Sequence, residues 1–474
     1  MIALSALCAA WTASRAPVIA SRTRARPALC ITSAVPSGVS ELIEPAAISA
    51  AAAVEWTTLD LAADIASGPV EASFVRTTAA TAGDRTPIVL LHSFDSSCME
   101  WRRVLPLLDA ARLEAYALCS LGWGFSDTSN VRSISVASKR EHLRAFCEQV
   151  LGGRPALLVG SSLGAATIID FVDACPSAVE SVVMLDPQGF IDGAPPVPQF
   201  AARPGIQLLR SWPLRSFGQY IAYEDIPTFA TDDAIRVGRL HCARDGWEDD
   251  QMQWLASGGY SVSSLVPRME EAGIECLILW GRQDRVLPPA EYVPQFLTAL
   301  PTRCTFRWVE RCGHVPHLEQ PAVTADAIAA FYRGETVAGD ADVSALGSSP
   351  LEQIASLGKQ ALELEWRAAS VTAEAITGAM RGEDAPASAS TSSASTSSAS
   401  TSSASAASSS PIDQLNAFLD RPLLDANERG GALEPLKKLI RAEPELAQVL
   451  ASAFALSFFA AVGTLVGRIV SGTL

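Results

Sequence analysis

Residues 157–171, LLVGSSLGAATIIDF, set two adjacent serines between Gly160 and Gly164. A short apolar run, ALLV at 156–159, precedes them, and a helical pattern ending before Pro176 follows. A strand that turns sharply into a helix needs residues without a Cβ where backbone crowds backbone, and glycine serves there. In a G-x-S-x-G turn of this kind the central serine is pushed out at the end of a sheet. Ser162, the middle of the five, is therefore the candidate nucleophile, and Ser161 is a small residue that the turn tolerates. A five-residue match is weak evidence by itself in a chain rich in Gly and Ser, so the surroundings decide.

Upstream, PIVLLHSF (87–94) reads as a buried strand and SKREHLRAFCEQVLG (138–152) as an amphipathic helix. Downstream, SVVMLD (181–186), CLILWG (276–281) and CTFRWVE (304–310) read as strands, and AVTADAIAAFYRG (322–334) as a closing helix. Strand and helix in alternation predict an α/β fold, a mostly parallel sheet with helices on both faces. A serine hydroxyl is a weak nucleophile until a base takes its proton, and the base needs a carboxylate to orient it. LILWGRQDRVLPP (277–289) places Asp284 in a polar loop just past a strand, and VERCGHVPHLEQP (309–321) places His314 past the last strand. Asp186, which ends the strand after the serine turn, is a second candidate for the acid. His317 lies three residues beyond His314, while His92, His142 and His241 read as histidines satisfied by hydrogen bonds.

With these motifs in the order Ser162, Asp284, His314, residues 60–335 resemble the α/β-hydrolase superfamily. The resemblance matches His314 to the first histidine of G-H-x-x-x-x-E-x-P and leaves His317 a pocket or structural role. It implies an oxyanion hole built from the backbone N–H groups of Leu163 and of Phe94 in HSFDSS. Two departures stand out. His92-Ser93 replaces the usual His-Gly, and in ALCSLGWGFSD (117–127) Cys119 stands where an Asp is usual, although Gly122, Gly124 and Ser126 keep the G-x-G-x-S pattern. A serine at the turn excludes the epoxide-hydrolase and haloalkane-dehalogenase versions of the fold and leaves acyl transfer to water. The same resemblance implies a helical cap inserted at about 188–269 within a domain spanning 55–335. The cap's Trp212, Phe217, Tyr220, Trp247 and Trp254 are expected mostly as its core, the rest lining an apolar pocket. HSFDSSCMEWRR (92–103), VGRLHC (237–242) and SGGY (257–260) further resemble plastid-targeted hydrolases of plants and algae related to chlorophyll-dephytylating enzymes. That likeness implies a plastid setting and an apolar ester substrate, either phytyl or another isoprenoid ester or an acyl lipid.

With 474 residues, 49% of them hydrophobic, the chain can bury one large core and still carry appendages. A net charge of -15 disfavours a nucleic-acid partner. The ten cysteines form no C-x-x-C pair, and Cys312, His314 and His317 lack a second ligand pair, so neither a metal nor a cofactor is expected. The thiols read as reduced core residues. Residues 1–40 hold Arg15, Arg22, Arg24 and Arg26 and no acid, as an organelle transit peptide does; a two-part address or a secretory signal stays open. Residues 336–410 read as a disordered Ser/Ala/Thr linker containing one helical pattern at 350–380, and 411–445 as a juxtamembrane segment. Residues 446–467 are uncharged and, at about 33 Å as a helix, match the ~30 Å hydrocarbon layer of a bilayer. Lys437, Lys438 and Arg441 precede this expected transmembrane helix and would keep the folded domain on the stromal side. The function expected is a membrane-tethered serine esterase acting on an apolar small-molecule ester. The alternative is a fold-retaining scaffold that binds an apolar ligand without turnover.

Overall fold

The computed structural model describes residues 35–337 apart from 36, 82–84, 194–205 and 208. The expected transit segment through residue 34, the linker beyond 337, the juxtamembrane segment and the 446–467 run lie outside the described residues. Among the described residues, no helix is long and apolar enough to cross a membrane.

Eight strands form one sheet: β1 (Glu55–Leu59), β2 (Val70–Arg76), β3 (Ile88–Leu91), β4 (Ala115–Leu118), β5 (Ala156–Ser161), β6 (Val179–Leu185), β7 (Glu275–Gly281) and β8 (Cys304–Val309), in the order 1-2-4-3-5-6-7-8. β1 and β2 run antiparallel, and from β4 onward every pairing is parallel. The central strands are apolar on both faces because helices cover both. Side chains alternate between two cores: Val89, Leu91, Leu158 and Val182 point into one, and Ile88, Leu90, Leu157 and Val183 into the other. Helices α3 (Val136–Gln149) and α4 (Leu163–Ala174) close the first core with Leu143, Phe146, Ile168 and Phe171. Helices α1 (Pro45–Ala52), α2 (Leu105–Ala110) and α12 (Pro321–Tyr332) close the second with Ala47, Leu108 and Ile328.

Between β6 and β7 the chain forms α5 (Trp212–Ala222), α6 (Ile226–Phe229), α7 (Asp232–Arg239), α8 (Trp247–Ala256) and α9 (Val266–Glu271). The last packs on the hydrolase layer, Val266 and Met269 joining the core that contains α4. After β7 come α10 (Pro289–Ala299) and the short α11 (Pro316–Glu319).

The folded body also starts earlier than the expected residue 55. A 3-10 helix at Ser37–Glu41 and α1 pack onto it, and the Asp233 carboxylate on α7 accepts the Ile43 and Glu44 N–H groups at 2.9 and 2.7 Å. Glu44 in turn holds Arg102 at 2.8 Å and Arg103 at 2.6 Å. Residues 37–40, expected within a transit peptide, are therefore part of the domain.

Candidate active site

The turn from β5 into α4 works as its glycines require. A Cβ on Gly160 would lie 2.6 Å from the Gly164 carbonyl group, and one on Gly164 would lie 2.4 Å from the Leu91 oxygen, so only glycine lets the helix sit this close to β3 and β5. Ser162 takes φ +51° and ψ -114°, a conformation that costs a non-glycine residue free energy and survives only where neighbours enforce it. Here they do: the Ser162 N–H donates to Leu185 O at 2.9 Å, and the Ser162 carbonyl accepts from Gln188 N–H at 3.1 Å. Ser161 instead points into protein, its hydroxyl buried without a hydrogen-bond partner among the described residues.

Asp284 and His314 follow β7 and β8, neighbours in the sheet, and meet: His314 Nδ1 lies 2.8 Å from Asp284 Oδ2. The other carboxylate oxygen accepts the N–H groups of Val286 and Leu287 at 2.8 and 2.9 Å, which fixes the carboxylate plane. The His314 N–H donates to Ala222 O at 2.7 Å, so the cap helix α5 also anchors the histidine. The second candidate acid, Asp186, lies in the same cluster but accepts the Gly281 N–H at 2.9 Å. Burial, then the neighbouring Asp284 charge, pushes its carboxyl well above the ordinary carboxylate range. It is Asp284, and not Asp186, that holds the imidazole.

Phe94 and Leu163 flank this centre, and neither amide donates to another described residue. Phe94 lines the same cavity as Ser162 and His314. The unusual Ser93 has a use: its N–H and hydroxyl both donate to Glu100, the hydroxyl at 2.7 Å. Glu100 is buried, which alone would raise its pKa, but His317, 3.0 Å away, and the other neighbours lower it to about 2. His317 also lies beside Trp101, the two rings tilted with centroids 4.7 Å apart. His92 accepts the Ser120 N–H on Nε2 at 3.0 Å, so its proton sits on Nδ1 and is donated to Ser93 O at 2.8 Å. Burial lowers its pKa to about 4, which keeps it neutral. Cys119, in place of the usual Asp, accepts the Cys98 N–H at 3.2 Å and supports the same loop.

The cavity above Ser162 has a volume of about 470 Å³, within the small-molecule range. The cap contributes Leu209, Leu214, Ile221, Ile235 and Val237 to its wall. Trp212, Trp247 and Trp254 are buried and line none of it; Trp247 packs in the cap with Ile206 and Met252, whereas Trp254 joins the core of the hydrolase layer against Trp123, and the wall is chiefly aliphatic. The charged residues at the wall have partners within the protein: Asp95 with Arg215, Glu100 with His317, Arg102 with Glu44.

Two clusters of His, Cys and Asp bring ligand atoms within 4.8 Å of one another, Asp95–His241–Cys242 and Asp186–Asp284–His314. Arg215 already brings a positive charge to the first. In the second, Asp284 is engaged by His314 and two backbone amides and Asp186 Oδ1 by the Gly281 N–H.

Asp95 escaped the sequence reading, although its motif HSFDSS did not. Its carboxylate accepts His241, Trp247, Gln251 and Arg215, all from the inserted region. The available signal was an acid immediately after Phe94.

Residues 88–327 match the family model described as alpha/beta hydrolase family. The alpha/beta hydrolase domain-containing protein VTE7 of Arabidopsis thaliana is 36% identical over 255 residues, covering 53% of this chain and 76% of that protein. Human monoacylglycerol lipase ABHD6 is 23% identical over 263 residues, covering 52% of this chain and 76% of that one. Among solved structures, a thermophilic esterase from Thermogutta terrifontis is 18% identical, with a TM-score of 0.48 over 59% of this chain and 98% of that one. On the family match and the Arabidopsis relative, the chain belongs to the alpha/beta hydrolase family.

Proposed function

We propose that this protein is a serine hydrolase that cleaves an uncharged, apolar carboxylic ester at a plastid membrane. One observation carries the reading: Ser162 and His314 share an aliphatic cavity, and His314 is held by the buried Asp284. In this reading His314 takes the Ser162 proton as Oγ attacks the ester carbonyl, and Asp284 stabilises the imidazolium. The negative charge on the tetrahedral oxygen falls to the Phe94 and Leu163 N–H groups. Collapse expels the alcohol, which takes the proton from His314 and leaves an acyl-Ser162. Water, deprotonated by His314, then attacks the acyl group, releases the acid and returns the proton to Ser162.

The wall supports a neutral substrate, because its charged side chains are matched within the protein and offer no free counter-charge. A phytyl or other isoprenoid ester and an acyl lipid both suit an aliphatic wall. The acid-free N-terminal segment, the uncharged 446–467 run and the likeness to a plant relative support the plastid membrane, with the folded domain facing the stroma.

A fluorophosphonate probe should label the wild-type protein and spare Ser162→Ala. A panel of p-nitrophenyl esters of increasing acyl length, together with a phytyl ester, should show turnover that rises with apolar content. Equal labelling of both proteins would remove Ser162 from the mechanism, and binding of the panel without hydrolysis would make the protein a scaffold.

A further inference from the structure

The loop at 92–95 is clamped from two directions. On the sheet side Ser93 is tied to Glu100, as described. On the other side Asp95, held at φ +45°, buries its carboxylate in the cap region. Its Oδ1 accepts His241 Nε2 at 2.8 Å, Trp247 Nε1–H at 2.9 Å and Gln251 Nε2–H at 2.5 Å. Its Oδ2 accepts Arg215, which also donates to the Asp95 carbonyl at 3.2 Å. Arg215 comes from α5, Trp247 and Gln251 from α8, and His241 from the 3-10 helix Leu240–Ala243 between α7 and α8.

Three elements therefore converge on one carboxylate, and that carboxylate belongs to the residue next to Phe94. Cap helices can be seated by apolar contact alone, but apolar contact does not fix the direction of one peptide unit. A buried charge that accepts four side-chain donors does, since moving it leaves donors unpaired in a dry environment. The Phe94 ring is seated separately, edge-on against Trp123 with centroids 5.5 Å apart. Loss of the Asp95 bonds should therefore turn the peptide without releasing the ring.

The geometry points to Asp95 as the positioning residue of the oxyanion hole: by gripping its carboxylate, the cap sets the direction of the Phe94 amide, so that a seated cap and a formed hole are one structural state. This rests on the reading of Ser162 and Phe94 proposed above. It also gives a purpose to Asp95 in HSFDSS and His241 in VGRLHC, neither of which touches a step of the reaction directly.

The test measures steady-state turnover of p-nitrophenyl butyrate, a short ester, by the full-length protein. Asp95→Asn should lower kcat by about 10- to 100-fold, the scale of a misaligned donor, with KM changed less than about threefold. Fluorophosphonate should still label Ser162 to completion in this variant, since nucleophile and base are untouched. The double variant Asp95→Asn/His241→Gln should be no worse than Asp95→Asn within about twofold, because both act through one carboxylate. Trp247→Phe removes one donor, keeps an aromatic ring, and should lower kcat by about 3- to 10-fold; it carries the test if Asp95→Asn does not fold. Wild-type kcat in folded Asp95→Asn or Trp247→Phe, losses confined to KM, or losses that multiply in the double variant would each overturn the inference. An active, labelled wild type with unaffected variants would overturn this inference alone. A wild type that neither labels nor hydrolyses would overturn the proposed function and this inference with it.

Discussion

The molecule holds two buried aspartate–histidine pairs with the same contact distance of 2.8 Å, Asp284 with His314 and Asp95 with His241. Distance and burial do not tell them apart; the remaining partners do. The second oxygen of Asp284 accepts only neutral amides, so its charge is left for the imidazole, and His314 borders a cavity it shares with Ser162. The charge of Asp95 is already met by Arg215, and the far nitrogen of His241 is buried with no partner among the described residues. An aspartate–histidine pair is thus equipped for proton transfer by what it leaves unspent. The same pair with its carboxylate already matched by an arginine becomes a fastener.

The sharpest way to break the comparison is to remove charge from each carboxylate near His314. Asp284→Asn should lower kcat on p-nitrophenyl butyrate by about 10⁴-fold, because the amide favours the wrong imidazole tautomer. Asp186→Asn should stay within about threefold of wild type, since burial pushes its carboxyl well above the ordinary range and the Gly281 N–H bond it accepts can be accepted by the Asn oxygen as well. A large loss in Asp186→Asn would return Asp186 to the role of acid.

A smaller effect separates the two regions by pH. Burial lowers His92 to about 4 and His142 to about 3, from 6.5. Between about 4 and 6.5 the unfolded chain takes up protons at both positions and the folded chain does not. Stability should therefore fall on acidification by about 2–3 kcal/mol per pH unit. For His241 burial acts downward, but Cys242 and Asp95 raise it to about 9, so its contribution is complete below 6.5 and is lost as the pH rises through 9. Urea midpoints measured from pH 4 to 10 should peak near 6.5, and His142→Leu should halve the acid slope.

The smallest expected effect concerns the neighbouring serines. Ser161→Ala removes a buried hydroxyl without a partner, so stability should be unchanged or rise by up to about 1 kcal/mol, with wild-type turnover. Chemical denaturation and the butyrate assay check both halves.

Strands β3 and β5 to β8 and the cluster around Ser162 were legible because each depends on short-range pattern, whereas β1, β2 and β4 were not read as strands. Continuous apolar runs marked β3, β5, β6 and β7, and Gly160 and Gly164 marked the turn. Asp284 and His314 stand directly after strands, where the fold itself brings them together. The Asp95 cluster had no such pattern. Its donors lie between 120 and 156 residues away, in a region without strand–helix rhythm, and His241 read as a histidine with an ordinary structural bond. Residues 37–40 were placed in the transit segment and 41–54 outside the domain for a related reason. Nothing in their local pattern marks a strand or a motif, and the bonds from Glu44 to Arg102 and from Asp233 to the backbone reveal them as part of the body.

That N-terminal segment bears on how the protein can be produced. Glu44 neutralises two arginines, one of them buried beside the cavity wall, and its own backbone is tethered to the cap. An expression clone that begins at residue 45, or a tag fused there, would strand a guanidinium in the interior and untie helix α7. A recombinant protein intended for activity work should keep everything from residue 37 onward.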